Sequence, residues 1–195
     1  SKIIRSTWET AWSTIGLCNT LLGDFERLDA VALGMTEGKL NAYKAEVRTL
    51  RAWAYYNCFE IWGGAIPLYT AQGGDIPGSA DKDFQKGCEK VYDFICSELD
   101  ACYADLPQED GSHATRNRMN QAVNRMIKMR MLLNSEVFTG KARFDECAVL
   151  AQELLDGKYG TYQLANDYRD IYHIENNTCP EVVMAFSMEN GQLNA

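Results

Sequence analysis

This chain of 195 residues lacks most of the features that announce chemistry. No apolar run approaches the ~18 residues needed to cross a bilayer, so no membrane-spanning helix is expected. No two cysteines stand at the CxxC spacing of a zinc or thioredoxin site, and no metal is expected. No glycine-rich loop leads into the lysine that cradles phosphate. Histidine is scarce: His113 sits in a polar turn and His173 near an extended segment, with no cysteine or serine at motif spacing. Carboxylates are plentiful, yet no pair can be placed across a cleft as a glycosidase requires. The sequence therefore reads as that of a non-enzyme without a cofactor. Excess positive charge is missing too, because the net charge is −8 and acidic residues are spread along the chain. That argues against nucleic acid, whose binders need a basic patch, and against docking on anionic lipid.

What is present centres on residues 40–69, LNAYKAEVRTLRAWAYYNCFEIWGGAIPLY. The first part reads as one long helix with two apolar stripes. One stripe is Leu40, Tyr43, Val47, Leu50, Ala54, Cys58 and Ile61; the other is Ala42, Ala45, Thr49, Ala52, Tyr56 and Phe59. Steps of three and four residues keep each stripe on one face. A helix at the edge of a domain needs one such stripe, so two opposed stripes predict neighbours on both sides. Gly63 and Gly64 then stop the helix and Pro67 keeps it from resuming.

The remaining elements read as helices. Residues 4–22 carry Trp8, Trp12, Ile15, Asn19 and Leu22 on one stripe. Asn19 therefore faces the interior, where an unpaired amide would cost ~1–3 kcal/mol, and must find a partner. Trp8 and Trp12 share the stripe of Ile15, which favours core packing over a sugar platform. Residues 23–39 form a connector with a short helix near Asp29 to Leu33. A third helix over 83–105 has a clean stripe of Phe84, Cys88, Val91, Ile95, Leu99, Cys102 and Leu106, ended by Pro107. A fourth spans 119–138 with Asn120 as N-cap, and a fifth spans 144–156. The last two resemble a tetratricopeptide unit, with Cys147 in the small-residue slot that lets its partner approach. The alternation Val182, Met184 and Phe186 against Val183 and Ala185 reads as a strand. Seven cysteines fall mostly at apolar helical positions, where thiols act as small hydrophobes, so at most one disulfide is expected.

Two stretches carry a resemblance. The residues Ala45, Glu46, Arg48, Leu50, Arg51, Ala52, Tyr55, Tyr56, Gly63, Gly64, Pro67 and Leu68 match the signature of the SusD/RagB family. A second match covers Arg118 and Arg130, the turn at 139–143, the GKYG…DY.DI run in 157–172 and NNTCPEVVMAF in 176–186. The chain thus resembles glycan-binding outer-membrane lipoproteins of Bacteroidetes across nearly its whole length. The resemblance implies a mainly α fold of antiparallel helix pairs with tetratricopeptide-like packing and little strand. It implies a single SusD-like helical domain over residues 1–195. Ser1-Lys2-Ile3-Ile4-Arg5 reads as the lead-in to a helix, so a fragment is expected, without the lipoprotein N-terminus and the C-terminal region. The implied function is non-catalytic capture of an oligo- or polysaccharide at the cell surface, beside a SusC-like TonB-dependent outer-membrane transporter. Membrane attachment would then run only through a lipid anchor outside this chain. A reducing compartment, which the cysteines alone suggest, conflicts with that location. A generic tetratricopeptide-like protein–protein interaction scaffold is the alternative, though such a scaffold needs neither the Gly63-Gly64…Pro67 loop nor the NN…PE segment.

Two sets of residues stand out. Trp62 and Tyr69 flank the glycine loop and are the candidates for ligand contact, since aromatic rings offer sugars a rigid apolar face with a polar tip. Glu46 and Arg130 are expected to form a structural ion pair between helices, because Arg130 lies between Ile127 and Leu133 on the apolar stripe of the fourth helix.

Overall fold

The structure is a computed structural model and describes residues 2–70, 80–109, 117–173, 176 and 179–185. Six α-helices follow in order: α1 (Lys2–Phe25), α2 (Glu37–Trp62), α3 (Phe84–Cys102), α4 (Gln121–Leu133), α5 (Ser135–Thr139) and α6 (Phe144–Leu155). Short 3-10 turns continue α2 over Gly63–Ala65 and α3 over Tyr103–Asp105, and another covers Tyr168–Tyr172. The fold is mainly α, as read from the sequence, and no strand occurs among the described residues.

Capping explains where the helices start. Thr36, Asp83 and Asn120 each stand in extended backbone and accept a hydrogen bond from the amide three residues on. Each side chain thereby satisfies one of the amides that a helix start leaves open. Asn120 is the cap expected from the sequence. The connector after α1 forms a turn at Ala30 to Gly34 instead of a helix.

The central helix has the neighbours that its two stripes predict. Helix α2 lies between α1 on one side and α3 on the other, and α4 packs on α3 and α6. One core runs through these helices, built on Ile15, Ala52, Tyr55, Phe59, Ile95 and Met131. In the α4–α6 pair the Cys147 thiol donates to the Met129 carbonyl at 3.4 Å. The small slot of a tetratricopeptide-like pair is filled here by a thiol that reaches its partner's backbone. All seven cysteines carry thiols, and six of them are buried.

Helix α2 ends at a pair of glycines that the core could not replace. Gly63 has a φ of +55° and its amide donates to the Phe59 carbonyl, a conformation that costs little only without a Cβ. Gly64 lies against Gly87 of α3: a methyl on Gly64 would overlap the Phe84 carbonyl oxygen and stand 2.5 Å from the Cys88 amide. A methyl on Gly87 would in turn overlap the Gly64 carbonyl. The two backbones touch directly, and this contact sets the angle at which the chain leaves α2.

Two expectations are corrected. Residues 182–185 form no strand; Val183 and Met184 pack against the helical core instead. A strand needs a hydrogen-bonded ladder, and among the described residues 182–185 form none; alternation alone does not make a strand. Phe186 and His113 lie outside the described residues. The fourth helix also breaks at Asn134, which separates α4 from α5.

Candidate functional site

The residues of the α2 signature build a clamp. Arg48 and Arg51 stand three apart on one face of α2 and reach across to α3. Arg48 donates to Glu98 Oε1 at 2.8 Å, and Arg51 donates to Glu98 Oε2 at 2.6 Å. Arg51 also donates to Asn19 Oδ1 of α1 at 2.8 Å. Asn19 passes the link on, donating from Nδ2 to the Tyr69 carbonyl at 2.9 Å. The fully buried Tyr55 completes the arrangement. Its hydroxyl donates to the Tyr69 carbonyl and accepts from the Tyr69 amide, both at 2.7 Å. Burial pushes the Tyr55 phenol up to about 12, against the pull of its Tyr69 hydrogen bond and Arg51, so it stays a neutral donor. Both backbone groups of Tyr69 are thereby fixed by side chains of α1 and α2. The buried amide of Asn19 has the partners that the sequence demanded.

A second buried network at the same level of α2 and α3 ties them to α4. Asn124 of α4 donates to Thr49 of α2 at 3.2 Å and to the Leu99 carbonyl of α3 at 3.0 Å. Thr49 Oγ1 and Cys102 Sγ are 3.3 Å apart.

Trp62 and Tyr69 take different positions. Trp62 packs edge-on against Trp8, with ring centroids 4.9 Å apart. Trp8 then meets Trp12 at 5.3 Å, and Trp12 meets Tyr55 at 5.9 Å. The tryptophans of α1 are thus core-facing, as expected, and Trp62 joins their row. Tyr69 stands at the far end, where the chain enters the segment after the clamp. The residues just ahead of it, Ile66, Pro67 and Leu68, line a hollow of about 320 Å³ together with Asp81 and Lys90. The Lys90 ammonium and the Asp81 carboxylate pair at 2.5 Å on its wall.

The expected ion pair of Glu46 with Arg130 does not form. Arg130 is exposed, while Glu46 is bound by Arg118 in the segment ahead of α4. The buried arginine of α4 is Arg125, which donates to Asp100 at 2.7 Å and lies 3.8 Å from the Tyr103 ring centre. The error lay in the phase of the stripe. Leu133 and Val137, which the sequence places on one stripe with Arg130, are 60% and 81% exposed. The faces of α4 that are buried carry Asn124, Ile127 and Met131, and Ala122, Arg125 and Met129. Glu46 does clamp α2 to a neighbour, but through the first of the two matched arginines.

Among the described residues no group of His, Cys, Asp and Glu could hold a metal ion, and no helix is long and apolar enough to cross a membrane.

No family model matches the chain. It is similar to the starch-binding protein SusD of Bacteroides thetaiotaomicron, with 26% identity over 155 residues, 77% of this chain and 26% of that protein. The fold matches the surface glycan-binding protein A from Bacteroides uniformis with a TM-score of 0.75 and 22% identity, covering 92% of this chain and 37% of the other. It also matches the surface glycan-binding protein A from Bacteroides thetaiotaomicron in complex with laminarihexaose, with a TM-score of 0.71 and 19% identity over 91% of this chain and 34% of the other. The chain thus spans about a quarter of the length of the curated relative. The fold is SusD-like, and the resemblance to the SusD/RagB family read from the two motifs is borne out.

Proposed function

We propose that this chain is the helical part of a non-catalytic, SusD-like glycan-binding protein, and that it presents Tyr69 and the hollow over Pro67, Leu68, Asp81 and Lys90 to the sugar. The observation that carries this reading is the double anchoring of the Tyr69 backbone by Tyr55 and Asn19. A residue that contacts a flexible, well-hydrated ligand gains affinity when its own ordering cost is met before binding. The clamp meets that cost with groups that the α2 signature supplies. The hollow combines the apolar edges of Pro67 and Leu68 with the hydrogen-bonding Asp81 and Lys90, the mixture that sugar faces and hydroxyls require. Relatives named for starch and seen with laminarihexaose support the ligand class.

In this reading Tyr69 is the contact residue, and Trp62 braces the end of α2 through Trp8. The wider reading places the whole protein on the outer surface as a lipoprotein, partnering a SusC-like TonB-dependent transporter. Its support is the family resemblance, and its test is co-purification of the full-length protein with such a transporter from native membranes.

The binding test uses calorimetry with laminarihexaose and maltoheptaose. Weak binding is expected from this chain, with no turnover of either sugar. Tyr69→Ala should weaken it about tenfold, as befits one lost aromatic contact of ~0.5–1.5 kcal/mol. The melting temperature should hardly move, because the backbone hydrogen bonds of residue 69 survive the substitution. Unchanged affinity in this variant would remove Tyr69 from the site.

A further inference from the structure

Asn19 carries one link of the clamp, and its two ends have opposite polarity. A carboxamide offers a carbonyl oxygen that accepts and an NH2 that donates. In Asn19 the neighbours decide which end faces which. The Arg51 guanidinium can only donate, so the carbonyl end faces it, with Nη1 2.8 Å from Oδ1. The Tyr69 carbonyl can only accept, so the NH2 end faces it, at 2.9 Å. Asn19 is 2% exposed, which leaves no bulk solvent to take either part. A carboxylate here would keep the Arg51 bond but set an oxygen against the Tyr69 carbonyl. An aliphatic side chain would keep neither bond.

Arg51 is held in turn. Its Nη2 donates to Glu98 Oε2 at 2.6 Å, while Arg48 donates to Oε1 at 2.8 Å and to Oε2 at 3.2 Å. One continuous line of hydrogen bonds therefore runs from Glu98 on α3 through Arg51 on α2 and Asn19 on α1 to the Tyr69 carbonyl. That carbonyl also accepts from the Tyr55 hydroxyl, so both of its lone pairs are used. The Tyr69 N–H, which donates to the same hydroxyl, lies in the peptide plane before the Cα, and the carbonyl lies in the plane after it. Two held planes fix the Cα between them, and with it the direction in which the Tyr69 side chain leaves the backbone. Tyr55 alone holds the carbonyl at one point, about which the second plane can turn. Asn19 supplies the other point, from a different helix.

We propose that Asn19 is a positioning residue for the sugar contact at Tyr69, and that Arg51 and Glu98 act on sugar affinity through it by setting the polarity of its amide. This rests on the assignment of Tyr69 as the contact residue and adds the interior residues on which that contact depends. Affinity at the surface is thereby coupled to an ion pair buried between α2 and α3.

The experiment is calorimetry of the intact chain with laminarihexaose, on Asn19→Asp, Tyr69→Ala and the double variant. Asn19→Asp keeps the shape, and its carboxylate balances the two arginines that now share Glu98 alone, so the helices should stay folded, which circular dichroism checks. Affinity should fall about tenfold in Asn19→Asp, the effect of one lost hydrogen bond, and should fall no further when Asn19→Asp is added to Tyr69→Ala. A merely structural role would weaken both backgrounds alike, so the double-mutant cycle separates the two. Glu98→Gln leaves Asn19 in place and keeps an acceptor for Arg51. It should repeat the pattern with a loss of about threefold, and it carries the test if Asn19→Asp does not fold. Losses that add across the cycle, or unaltered affinity in Asn19→Asp, overturn the positioning role and leave the Tyr69 contact standing. Unaltered affinity in Tyr69→Ala removes the contact itself, and the positioning role with it.

Discussion

Replacing Glu98 with alanine is expected to destabilise the protein by ~3–5 kcal/mol, the usual cost of stranding one side of a buried ion pair. The Glu98 side chain is 14% exposed and Arg51 is 8% exposed, so solvent screens this pair poorly. Removing the carboxylate leaves Arg51 with only Asn19 and Arg48 without a partner across the helix interface. Glu98→Gln keeps the volume and an acceptor oxygen and should cost less. Urea denaturation at neutral pH measures both, and a loss under ~1 kcal/mol for the alanine variant would mean that the pair behaves like a surface bridge.

The same carboxylate gives the protein an acid limit. Burial works against the charged form of Glu98, yet the hydrogen bonds and charges of Arg48 and Arg51 outweigh it and hold the carboxyl below the usual glutamate range. A folded-state pKa below the unfolded one stabilises fully above the unfolded value of ~4.3. That stabilisation is lost as pH falls through the folded value. Asp100 acts in the same sense, since Lys128 and Arg125 prevail over its own burial. Stability should therefore fall steeply only below about pH 4, and Glu98→Gln should flatten the fall.

Gly64→Ala should be the other severe change, at roughly 2–4 kcal/mol. Overpacking a core usually costs ~1–3 kcal/mol, and here the atoms in the way are backbone, which cannot rotate aside. The new methyl would stand 2.5 Å from the Cys88 amide and 2.9 Å from the Gly87 carbonyl carbon. Relief requires α3 to move away from the end of α2, which also disturbs the exit of the chain toward Tyr69. Gly38→Ala is the control, because nothing but the Thr36 hydroxyl lies within 4.0 Å of that position. Thermal melts of the two variants should differ widely. Equal melting temperatures would mean that the α2–α3 contact yields easily.

Much of this was legible in residues 40–69. Periodic small and aromatic residues on two faces announced a central helix, and adjacent glycines announced its end. The need of Asn19 for a partner was legible from its stripe, but the partners were not, because Arg51 and Tyr69 are brought to it only by the packing of α1 on α2. Glu98 gave only a marginal signal, standing three residues after Ile95 and four before Cys102 at the edge of the α3 stripe. A carboxylate at the edge of a stripe usually reaches solvent, and only the neighbouring helix turns that position into an interior one. Arg130 shows the opposite failure. The apolar period continues across Asn134 in sequence, but the helix breaks there, and Leu133 and Val137 on either side of that point do not frame a buried face.

The account stands or falls on the clamp that fixes residue 69. Amide hydrogen exchange of Tyr69 tests it most directly, because its N–H is bonded to a buried phenol and to no helix or strand. The Tyr69 amide should exchange as slowly as the core amides of α2, through global unfolding alone, and Tyr55→Phe should release it to fast exchange while the helices stay protected. A Tyr69 amide that exchanges at loop rates in the unaltered protein would contradict the clamp, and with it the presentation of residue 69 to a glycan.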